Sequence, residues 1–399
     1  MSAIGFVLLL ITALAAVPAV VLFAELLLAA FVRDAVDLPA TAVPRHETLV
    51  VLMPAHNEAS GIAPVVAAVL AQLGARDRLL VVADNCSDAT AAIARAAGAE
   101  VTQRSNVTLR GKGYALDHGV RQLEHDPPDL VVIVDADCFV APEALERLAQ
   151  RCLASARPVQ ALYLMHAAAG AGLSLRIAEF AWLVKNKLRP LGGAALGWPC
   201  QLMGTGMAFP WALLRDAPLA TGHLVEDMQL GLDLADAGRA PLFCAQALVS
   251  SVFPIDADGA RGQRTRWEHG HLSVIAKIGP RMLLRALMRR DRRLLGMTLD
   301  LMVPPLAALV LTLIALTALG AAWAWLTADA RPLGVAACAL VLLGAGVVLA
   351  WWRDGKRIVA LKELLALPLY VAAKIPMYVQ LFTKRQIEWV RTKRDDGRR

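Results

Sequence analysis

Three long apolar runs constrain the fold of this chain more than any other feature of its sequence. Residues 3–32 carry one charged side chain, Glu25, and two further runs within residues 299–352 carry none. A helix of about 20 apolar residues crosses the hydrocarbon core of a bilayer. A cleaved signal peptide would need a basic start and a shorter apolar core, and residues 3–32 have neither. The sequence therefore predicts an N-terminal transmembrane helix in residues 1–33 and a transmembrane hairpin in residues 299–352.

Arginine and lysine residues near these runs predict how the chain is oriented in the membrane. Residues 281–293 hold six arginines and one aspartate, and residues 384–399 hold seven basic and three acidic side chains. No basic side chain precedes the first run. Because basic residues are retained on the cytoplasmic side, we expect a multi-pass protein of the inner or plasma membrane, with its N-terminus outside. Residues 276–298 form a basic juxtamembrane segment inside.

The C-terminal segment, residues 353–399, leaves one ambiguity. Residues 360–382 are long enough to span a bilayer, but they include Lys362, Glu363 and Lys374. A fourth span would place the basic tail outside, against the charge rule. We therefore favour a helix that lies in the inner membrane interface, followed by a cytosolic tail, and the spanning alternative stays open.

Composition and charge narrow the class of protein only slightly. Hydrophobic residues make up 57% of the 399 residues and charged residues 19%, which excludes a purely soluble enzyme. The net charge of +7 suits an acidic partner, and nucleic acid, anionic lipid and nucleotide-diphosphate substrates all fit it. The six cysteines show no CxxC pair and no metal-binding spacing, which indicates reduced thiols.

The region between the spans reads as an α/β domain, which we place at residues 45–275. Short apolar runs alternate with helix-like segments from residue 48 to residue 140. Such alternation predicts a mostly parallel sheet with helices on both faces. Ligands of these sheets bind at the carboxyl ends of the strands.

Acidic side chains collect where the predicted strands end. Glu58 follows the first strand, Asp84 ends the second, and Asp135 and Asp137 end the fourth. Two carboxylates on alternate residues can hold a hard divalent cation, and Mg²⁺ and Mn²⁺ prefer such oxygen ligands. The alternative is that Asp135 and Asp137 only cap a turn before the next helix.

Three further motifs offer chemistry, and each also has a structural explanation. Lys112 lies in a basic glycine turn, where it could meet a diphosphate or simply face solvent. Glu226 and Asp227 open a predicted helix, where one could be a general base or both could balance the helix dipole. The third motif comprises Gln263, Arg266 and Trp267, which suit a phosphate and a sugar ring or a membrane interface.

Taken in order, these motifs resemble the membrane-bound family 2 glycosyltransferases. That family includes the synthases of cellulose, chitin, hyaluronan and poly-N-acetylglucosamine, and also ceramide glucosyltransferase. The resemblance covers residues 48–275 and rests on seven segments. They are PAHNE (54–58), ADNCSDAT (83–90), RGKGYALDHG (110–119), DAD (135–137), GTGM (204–207), VED (225–227) and QRTRW (263–267).

The resemblance implies a fold and a role for each matching residue. It implies a GT-A-like, mostly parallel sheet flanked by transmembrane helices. Asp135 and Asp137 match the DxD motif, which holds Mg²⁺ or Mn²⁺ and the diphosphate. Asp227, with Glu226 beside it, matches the catalytic base. The other matches are Glu58, Asp84 and Lys112 in the donor site, with Asp84 on the uracil, and Gln263, Arg266 and Trp267 of the QxxRW motif at the diphosphate and acceptor.

The implied activity is inverting hexosyl transfer from a UDP-sugar to a membrane-associated acceptor. The expected acceptor is a growing exopolysaccharide, and the alternative is a lipid that is glycosylated once. Three spans are few for a polymer channel, so a polymer synthase would need an export-complex subunit or a homo-oligomer. The expected partners are therefore a UDP-sugar, the acceptor and the lipid bilayer, and no nucleic acid. A non-catalytic scaffold that binds a sugar nucleotide is a minor alternative.

Overall fold

The computed structural model describes residues 2–32, 45–222, 225–254 and 257–383. They divide into two compact units that are each built from separate stretches of chain. One unit, the helical unit, comprises the described residues within 2–32, 169–198 and 268–383. The other, the sheet unit, comprises the described residues within 45–168 and 199–267.

The sheet unit contains a mixed sheet of eight strands in the order β3-β2-β1-β4-β7-β6-β8-β5. The strands are β1 (Leu49–Ala55), β2 (Arg78–Asp84), β3 (Glu100–Arg104), β4 (Leu130–Ile133), β5 (Phe139–Val140), β6 (Val159–His166), β7 (Met207–Pro210) and β8 (Leu242–Val252). Four of the seven strand pairs are parallel, and the three antiparallel pairs all involve β7 or β5. The predicted α/β class and mostly parallel sheet are therefore confirmed.

Helices connect the strands, and the first three in chain order each follow a parallel strand. They are α2 (Ile62–Leu70), α3 (Thr90–Ala96), α4 (Lys112–Leu123), α5 (Ala144–Ser155), α8 (Trp211–Arg215) and α9 (Glu226–Asp236). The apolar faces of β1, β2 and β4 are almost fully buried, and α4 packs on them through Leu116 and Val120. This core fixes the strand ends that carry the polar residues.

The fourth strand is shorter than its sequence predicts. The apolar run predicts a strand over 130–137, but β4 ends at Ile133. Beyond it, the backbone N–H of Cys138 donates to the carbonyl oxygen of Asp135 at 3.1 Å and closes a turn. Asp135 and Asp137 therefore lie in a turn after the strand, so both carboxylates stand beyond the sheet edge.

The helical unit contains three helices that are long and apolar enough to cross a membrane. They are α1 (Ala3–Phe31), α13 (Leu306–Thr327) and α14 (Arg331–Arg353). Gly320 of α13 lies against the backbone of Leu333, and Gly346 of α14 lies against Leu26 and Phe23 of α1. Small residues thus let these helices approach closely, as is typical of helices that pack in lipid.

Other helices of this unit contribute buried charged side chains. They are α6 (Leu173–Leu183), α7 (Arg189–Ala195), α11 (Gly279–Arg289) and α12 (Arg292–Leu301), and α10 (Ala257–Lys277) enters the unit at Glu268. The sequence of residues 171–188 predicts one amphipathic helix, and the structure has α6 followed by a π-helical turn, Val184–Leu188, in this segment. Arg189 then donates from Nε to Glu25 at 3.0 Å and from Nη2 to Asp300 at 2.6 Å, so the buried Glu25 has a charged partner.

The segment after the third span is broken and is not the single helix expected over 360–382. It forms a 3₁₀ turn, Leu361–Ala366, and two short helices, α15 (Leu367–Ala372) and α16 (Ile375–Thr383). Pro368 and Pro376 each stand at the second residue of a helix, where the missing N–H costs nothing, and each prevents one continuous helix. In the described residues no fourth helix is both long enough and apolar enough to span a membrane.

Candidate active site

Polar residues from four loops of the sheet unit meet at the carboxyl ends of its parallel strands. Asp84 ends β2, and it is 7% exposed. Its Oδ1 accepts from Nη1 of Arg104 at 2.6 Å and from Nδ2 of Asn85 at 3.1 Å. Glu58 follows β1, and its backbone N–H donates to the Thr90 hydroxyl at 2.8 Å. These contacts give Asp84 a fixed orientation on the side of the site that holds β1, β2 and β3.

The turn after β4 contains a set of atoms that could hold a cation. One ligand atom each from Asp135, Asp137 and Cys138 lies within 4.8 Å of the others. Burial and the two neighbouring carboxylates raise the pKa of Cys138 well above its ordinary value, so the thiol stays protonated and is a poor ligand. Two carboxylates remain, and this donor set fits Mg²⁺ or Mn²⁺ better than a thiolate-binding metal.

Two polar residues that sequence reasoning missed support this turn. The Thr205 hydroxyl accepts from the backbone N–H of Asp135 at 3.1 Å. The fully buried Gln160 holds the Thr205 loop, because its amide donates to the Thr205 carbonyl oxygen and accepts from the N–H of Met203. Gly204 and Gly206 on either side have positive φ angles of 89° and 65°. The GTGM segment was the only signal for this role, since glycine is favoured where φ is positive.

Lys112, the first residue of α4, stands at the centre of the site. Its ammonium contacts Asp135 and donates to the carbonyl oxygen of Gly204 at 2.7 Å. Burial opposes the charge on Lys112, but Asp135, Glu226 and Asp227 outweigh it and raise the pKa of Lys112. The ammonium is therefore a fixed positive charge among three carboxylates.

Glu226 and Asp227 approach the same point from the first turn of α9. Asp227 Oδ2 lies within 3.4 Å of the position that a Cβ atom would take at Gly204, so a glycine leaves room beside this carboxylate. Burial, and next the charge of Asp227, raise the pKa of Glu226 to about 7. Near neutral pH Glu226 is thus partly protonated, whereas an ordinary glutamate would be fully ionised.

The motif of Gln263, Arg266 and Trp267 lies on α10. Burial lowers the pKa of Arg266, and Glu226, Asp135 and Asp227 partly offset this effect. The guanidinium is therefore close enough to feel the same three carboxylates. Its Nε is buried and has no hydrogen-bond partner in the described part of the chain. Gln263 and Trp267 lie three residues before and one residue after Arg266, so Gln263 shares its helix face with both of them.

A cavity of about 300 Å³ lies between the start of α4 and α9. Lys112, Glu226 and Asp227 line it together with Leu116, Thr221 and Gln229. At Gly113 a Cβ atom would press on the carbonyl oxygens of Leu219 and Thr221, so the chain packs tightly against the start of α4. The structure thus brings Asp135 and Arg266 close to Lys112, Glu226 and Asp227, whereas Asp84 forms a second group with Arg104.

Comparison with known proteins identifies a family and a fold. Residues 44–270 match the family model described as Glycosyltransferase like family 2. The fold is similar to that of a mannosyltransferase from Pyrobaculum calidifontis in complex with GDP-Man and Mn²⁺, with 17% identity, 93% of this chain and 100% of that chain covered, and a TM-score of 0.53. This likeness confirms the predicted GT-A-like fold. No curated protein sequence matches the chain.

A second group of solved structures is less similar to this chain in fold. A glucosyl-3-phosphoglycerate synthase from Mycobacterium tuberculosis, in complex with Mn²⁺, UDP and phosphoglyceric acid, is 26% identical. The match covers 56% of this chain and 78% of that chain, with a TM-score of 0.39. A likeness at this level carries no inference about the donor or the acceptor.

Proposed function

This chain belongs to glycosyltransferase-like family 2, and from that membership we propose an inverting hexosyltransferase that moves a sugar from a UDP-sugar to a membrane-associated acceptor. The observation that carries the proposal is that Lys112 contacts Asp135 and lines one cavity together with Glu226 and Asp227. Such a reaction needs positive charge for a diphosphate leaving group and a carboxylate for the acceptor proton. The cavity offers both.

Donor binding is assigned to the residues at the sheet edge. Asp135 and Asp137 would hold Mg²⁺ or Mn²⁺, and the cation, when bound, would supply positive charge at the diphosphate. Mn²⁺ accompanies a sugar nucleotide in the similar fold from P. calidifontis, which supports this assignment. Lys112 and Arg266 would donate to the diphosphate oxygens, and Asp84 would accept from the uracil. Glu58 would line the same nucleotide site.

Proton removal is assigned to Asp227. Because the pKa of Glu226 is raised to about 7, the negative charge of the acidic pair rests mainly on Asp227 below that pH. Asp227 would accept the acceptor hydroxyl proton while the new bond to the sugar C1 forms and the bond from C1 to the diphosphate oxygen breaks. UDP leaves with the bonding electrons, and a single displacement inverts the anomeric centre.

The acceptor that we propose is a growing exopolysaccharide, held near Gln263 and Trp267 of the QxxRW motif. Trp267 offers an aromatic face for a sugar ring. A lipid that is glycosylated once is the second candidate, and the number of spans favours it. The described residues include three helices that could cross a membrane, and a single addition to lipid needs no channel. Either acceptor would be used at the inner membrane, with the sheet unit in the cytosol.

The activity is tested on purified protein reconstituted in lipid with Mg²⁺ or Mn²⁺. UDP-glucose, UDP-N-acetylglucosamine and GDP-mannose are supplied in turn, and release of the nucleoside diphosphate is measured. Asp227→Asn should lower the rate by at least about 100-fold, since a general base contributes roughly 10²–10⁴. Asp236→Asn, the same change at the other end of α9, is the matched control. Equal rates for Asp227→Asn and the wild type would refute the assignment of the base.

Product analysis by mass spectrometry separates the remaining alternatives. A ladder of sugar additions identifies a polymer synthase, and one addition to a lipid identifies a glycolipid enzyme. Turnover with GDP-mannose alone would replace UDP as the donor nucleotide. Binding of a sugar nucleotide without turnover on any oligosaccharide or lipid acceptor would instead favour the non-catalytic scaffold.

A further inference from the structure

Glu268 and His269, two consecutive residues of α10, are hydrogen-bonded to the segment that follows the third span. The carboxylate of Glu268 accepts from Nζ of Lys374 and from the hydroxyl of Tyr378, both at 2.5 Å. Nε2 of His269 lies 3.0 Å from the carbonyl oxygen of Met377. Because a carbonyl oxygen can only accept, Nε2 is the nitrogen of this imidazole that carries the proton. Both oxygens of Glu268 are therefore used in contacts with one distant segment.

These contacts are largely shielded from water. The side chains of Glu268 and Lys374 are 13% and 18% exposed, and His269 is 2% exposed. A hydrogen bond between charged groups is stronger away from water, and a charge left there without its partner is costly. Lys374, Met377 and Tyr378 also follow the spacing of one helix face. One face of α16 and of the residue before it is thus held against α10.

The position of Glu268 on α10 connects these contacts with the QxxRW motif. At 100° per residue, Glu268 lies about 160° around the helix from Arg266 and about 100° from Trp267. Its hydrogen bonds therefore hold the helix from the side opposite Arg266. The buried Nε of Arg266 has no hydrogen-bond partner among the described residues, so the direction of its guanidinium depends largely on the helix. A rotation of α10 would redirect both Arg266 and Trp267.

A second contact of α10 lies one turn after the motif. His271 is 7% exposed, and its Nε2 lies 3.0 Å from the carbonyl oxygen of Leu301, the last residue of α12. Two different elements thus restrain the same stretch of α10. Because the contact of His271 is kept when Glu268 is replaced, we expect a variant at position 268 to fold.

From this arrangement we propose that Glu268 is a positioning residue of the sugar transfer. Its hydrogen bonds to Lys374 and Tyr378 set the rotation of α10. That rotation directs Arg266 to the diphosphate and Trp267 to the acceptor, while Glu268 itself does not touch substrate. The inference rests on the proposed function, which assigns those two roles to Arg266 and Trp267. The segment after the third span would then act on the reaction through α10.

The orientation of Trp267 is measured without any turnover. All tryptophans are replaced by 5-fluorotryptophan, and the fluorine resonance that disappears in Trp267→Phe is assigned to position 267. In Glu268→Gln and in Lys374→Met we expect this resonance to shift, because the ring enters a new environment. An unchanged resonance at position 267 in both variants would overturn the proposal.

The matched control breaks a different ion pair of the same segment. Glu363 accepts from Arg176 of α6 at 2.5 Å and 2.8 Å, so Glu363→Gln removes a charge that joins this segment to α6 instead of α10. We expect the resonance of position 267 and the turnover of Glu363→Gln to match the wild type. Effects as large as those of Glu268→Gln would mean that α10 has no special part, and would also overturn the proposal.

The kinetic consequence is a split between turnover and binding. A misplacement of about 1 Å can cost about 100-fold in rate, so kcat of Glu268→Gln should fall at least about tenfold. The Kd of UDP with Mn²⁺ should stay close to the wild-type value, because Asp84, Lys112 and Asp135 are unaltered. Each variant is assayed well below its melting temperature, so that a loss does not come from unfolding. A kcat equal to that of the wild type would refute the positioning role.

A double variant tests whether Glu268 and Lys374 act as one unit. If they do, Glu268→Gln combined with Lys374→Met lowers kcat no more than either single variant. A loss equal to the product of the two single losses would mean that they act independently, against the proposal. If the wild type turns over no donor at all, the proposed function fails, and the fluorine resonance alone then decides whether Glu268 orients Trp267.

Discussion

At the scale of single residues, Lys112 decides how charge is arranged in the candidate site. Its ammonium contacts Asp135, one of the two residues to which we assign the cation. A divalent cation and an ammonium cannot occupy the same side of one carboxylate. A cation that binds before the donor must therefore displace Lys112, whereas a donor diphosphate would offer the ammonium a new acceptor.

This competition predicts how metal affinity depends on Lys112. Without nucleotide, Lys112→Met should bind Mn²⁺ at least about tenfold more tightly than the wild type, because a charge-assisted hydrogen bond no longer competes. In the presence of UDP the same variant should bind the nucleotide more weakly. Mn²⁺ binding is followed by the loss of the free-ion electron paramagnetic resonance signal, with the exposed Lys277→Met as control. Mn²⁺ affinity that is unchanged or lower in Lys112→Met would contradict this reading.

Glu226 predicts a dependence of stability on pH. Its pKa is about 7 in the folded protein and its ordinary value is 4.5. Between these values the unfolded chain ionises while folded Glu226 keeps its proton, so the folded state loses stability as pH rises, by at most about 3 kcal/mol in full. Glu226→Gln removes this loss. We expect its melting temperature, relative to the wild type, to be several degrees higher at pH 8 than at pH 5.

The measurement uses protein without metal or nucleotide, because both would change the charge around Glu226. Glu124→Gln, at the exposed residue that follows α4, is the control and should show no such trend. A difference between Glu226→Gln and the wild type that stays constant from pH 5 to pH 8 would show that the pKa is not raised.

The sequence predicts the charged residues of the site better than the polar residues that hold them in position. Asp135, Asp137 and Asp227 stand out because acidic residues interrupt an apolar run or open a helix. Thr205 and Gln160 do not stand out, because a single threonine or glutamine in a sequence gives no sign of its partners in the fold. Thr205 bonds to a residue 70 positions away, and Gln160 bonds to Thr205 across 45 positions. Only the folded sheet brings these partners together.

At the scale of helices and strands, the close approach of α7 to α1 predicts an asymmetry between two adjacent glycines. A Cβ atom at Gly192 would overlap the carbonyl oxygen of Glu25, whereas at Gly193 the nearest atom would be Trp198 Cβ at 3.8 Å. Gly192→Ala must therefore separate the helices that Arg189 joins to Glu25. At position 193 a methyl group fits, so Gly193→Ala should raise the free energy of unfolding by up to about 1 kcal/mol through its higher helix propensity.

Thermal unfolding in detergent tests this asymmetry. Gly192→Ala should lower the melting temperature by several degrees, because the backbone of α1 cannot yield as a side chain can. Gly193→Ala should leave it equal or raise it slightly. Equal melting temperatures for the two variants would mean that the helices are not in close contact.

Elements with strong local signals were predicted well, and those set by distant contacts were not. Apolar or β-branched runs between turn residues predict strands at 48–55, 78–84 and 101–105, and β1, β2 and β3 each begin within one residue of these starts. The end of β4 and the π-helical turn after α6 depend on partners elsewhere in the fold. The antiparallel strand β7 has only four residues, and it is a strand because it pairs with β4. No local sequence pattern predicts a strand of this kind.

At the scale of the whole molecule, the charge distribution predicts the topology. We expect Ser2→Cys to react with an impermeant maleimide in intact cells, and Gln122→Cys to react only in inverted membrane vesicles. Both substitutions are made in a Cys338→Ala background, because Cys338 is the exposed cysteine of the described chain. Labelling of both positions from the same side of the membrane would contradict an N-terminus outside and a cytosolic sheet unit.

The two units are interleaved along the chain, and this has a consequence for synthesis. The sheet is complete only after residues 169–198 have been made for the other unit, since β7 and β8 follow them. Helix α1 leaves the ribosome about 300 residues before α14, against which it packs. At roughly 5–20 residues per second this is a wait of about 15–60 s. Glu25 lacks its charged partner until Arg189 has been made, and one edge of β4 is unpaired until β7 has been made, so the rate of synthesis bears directly on the yield of folded protein.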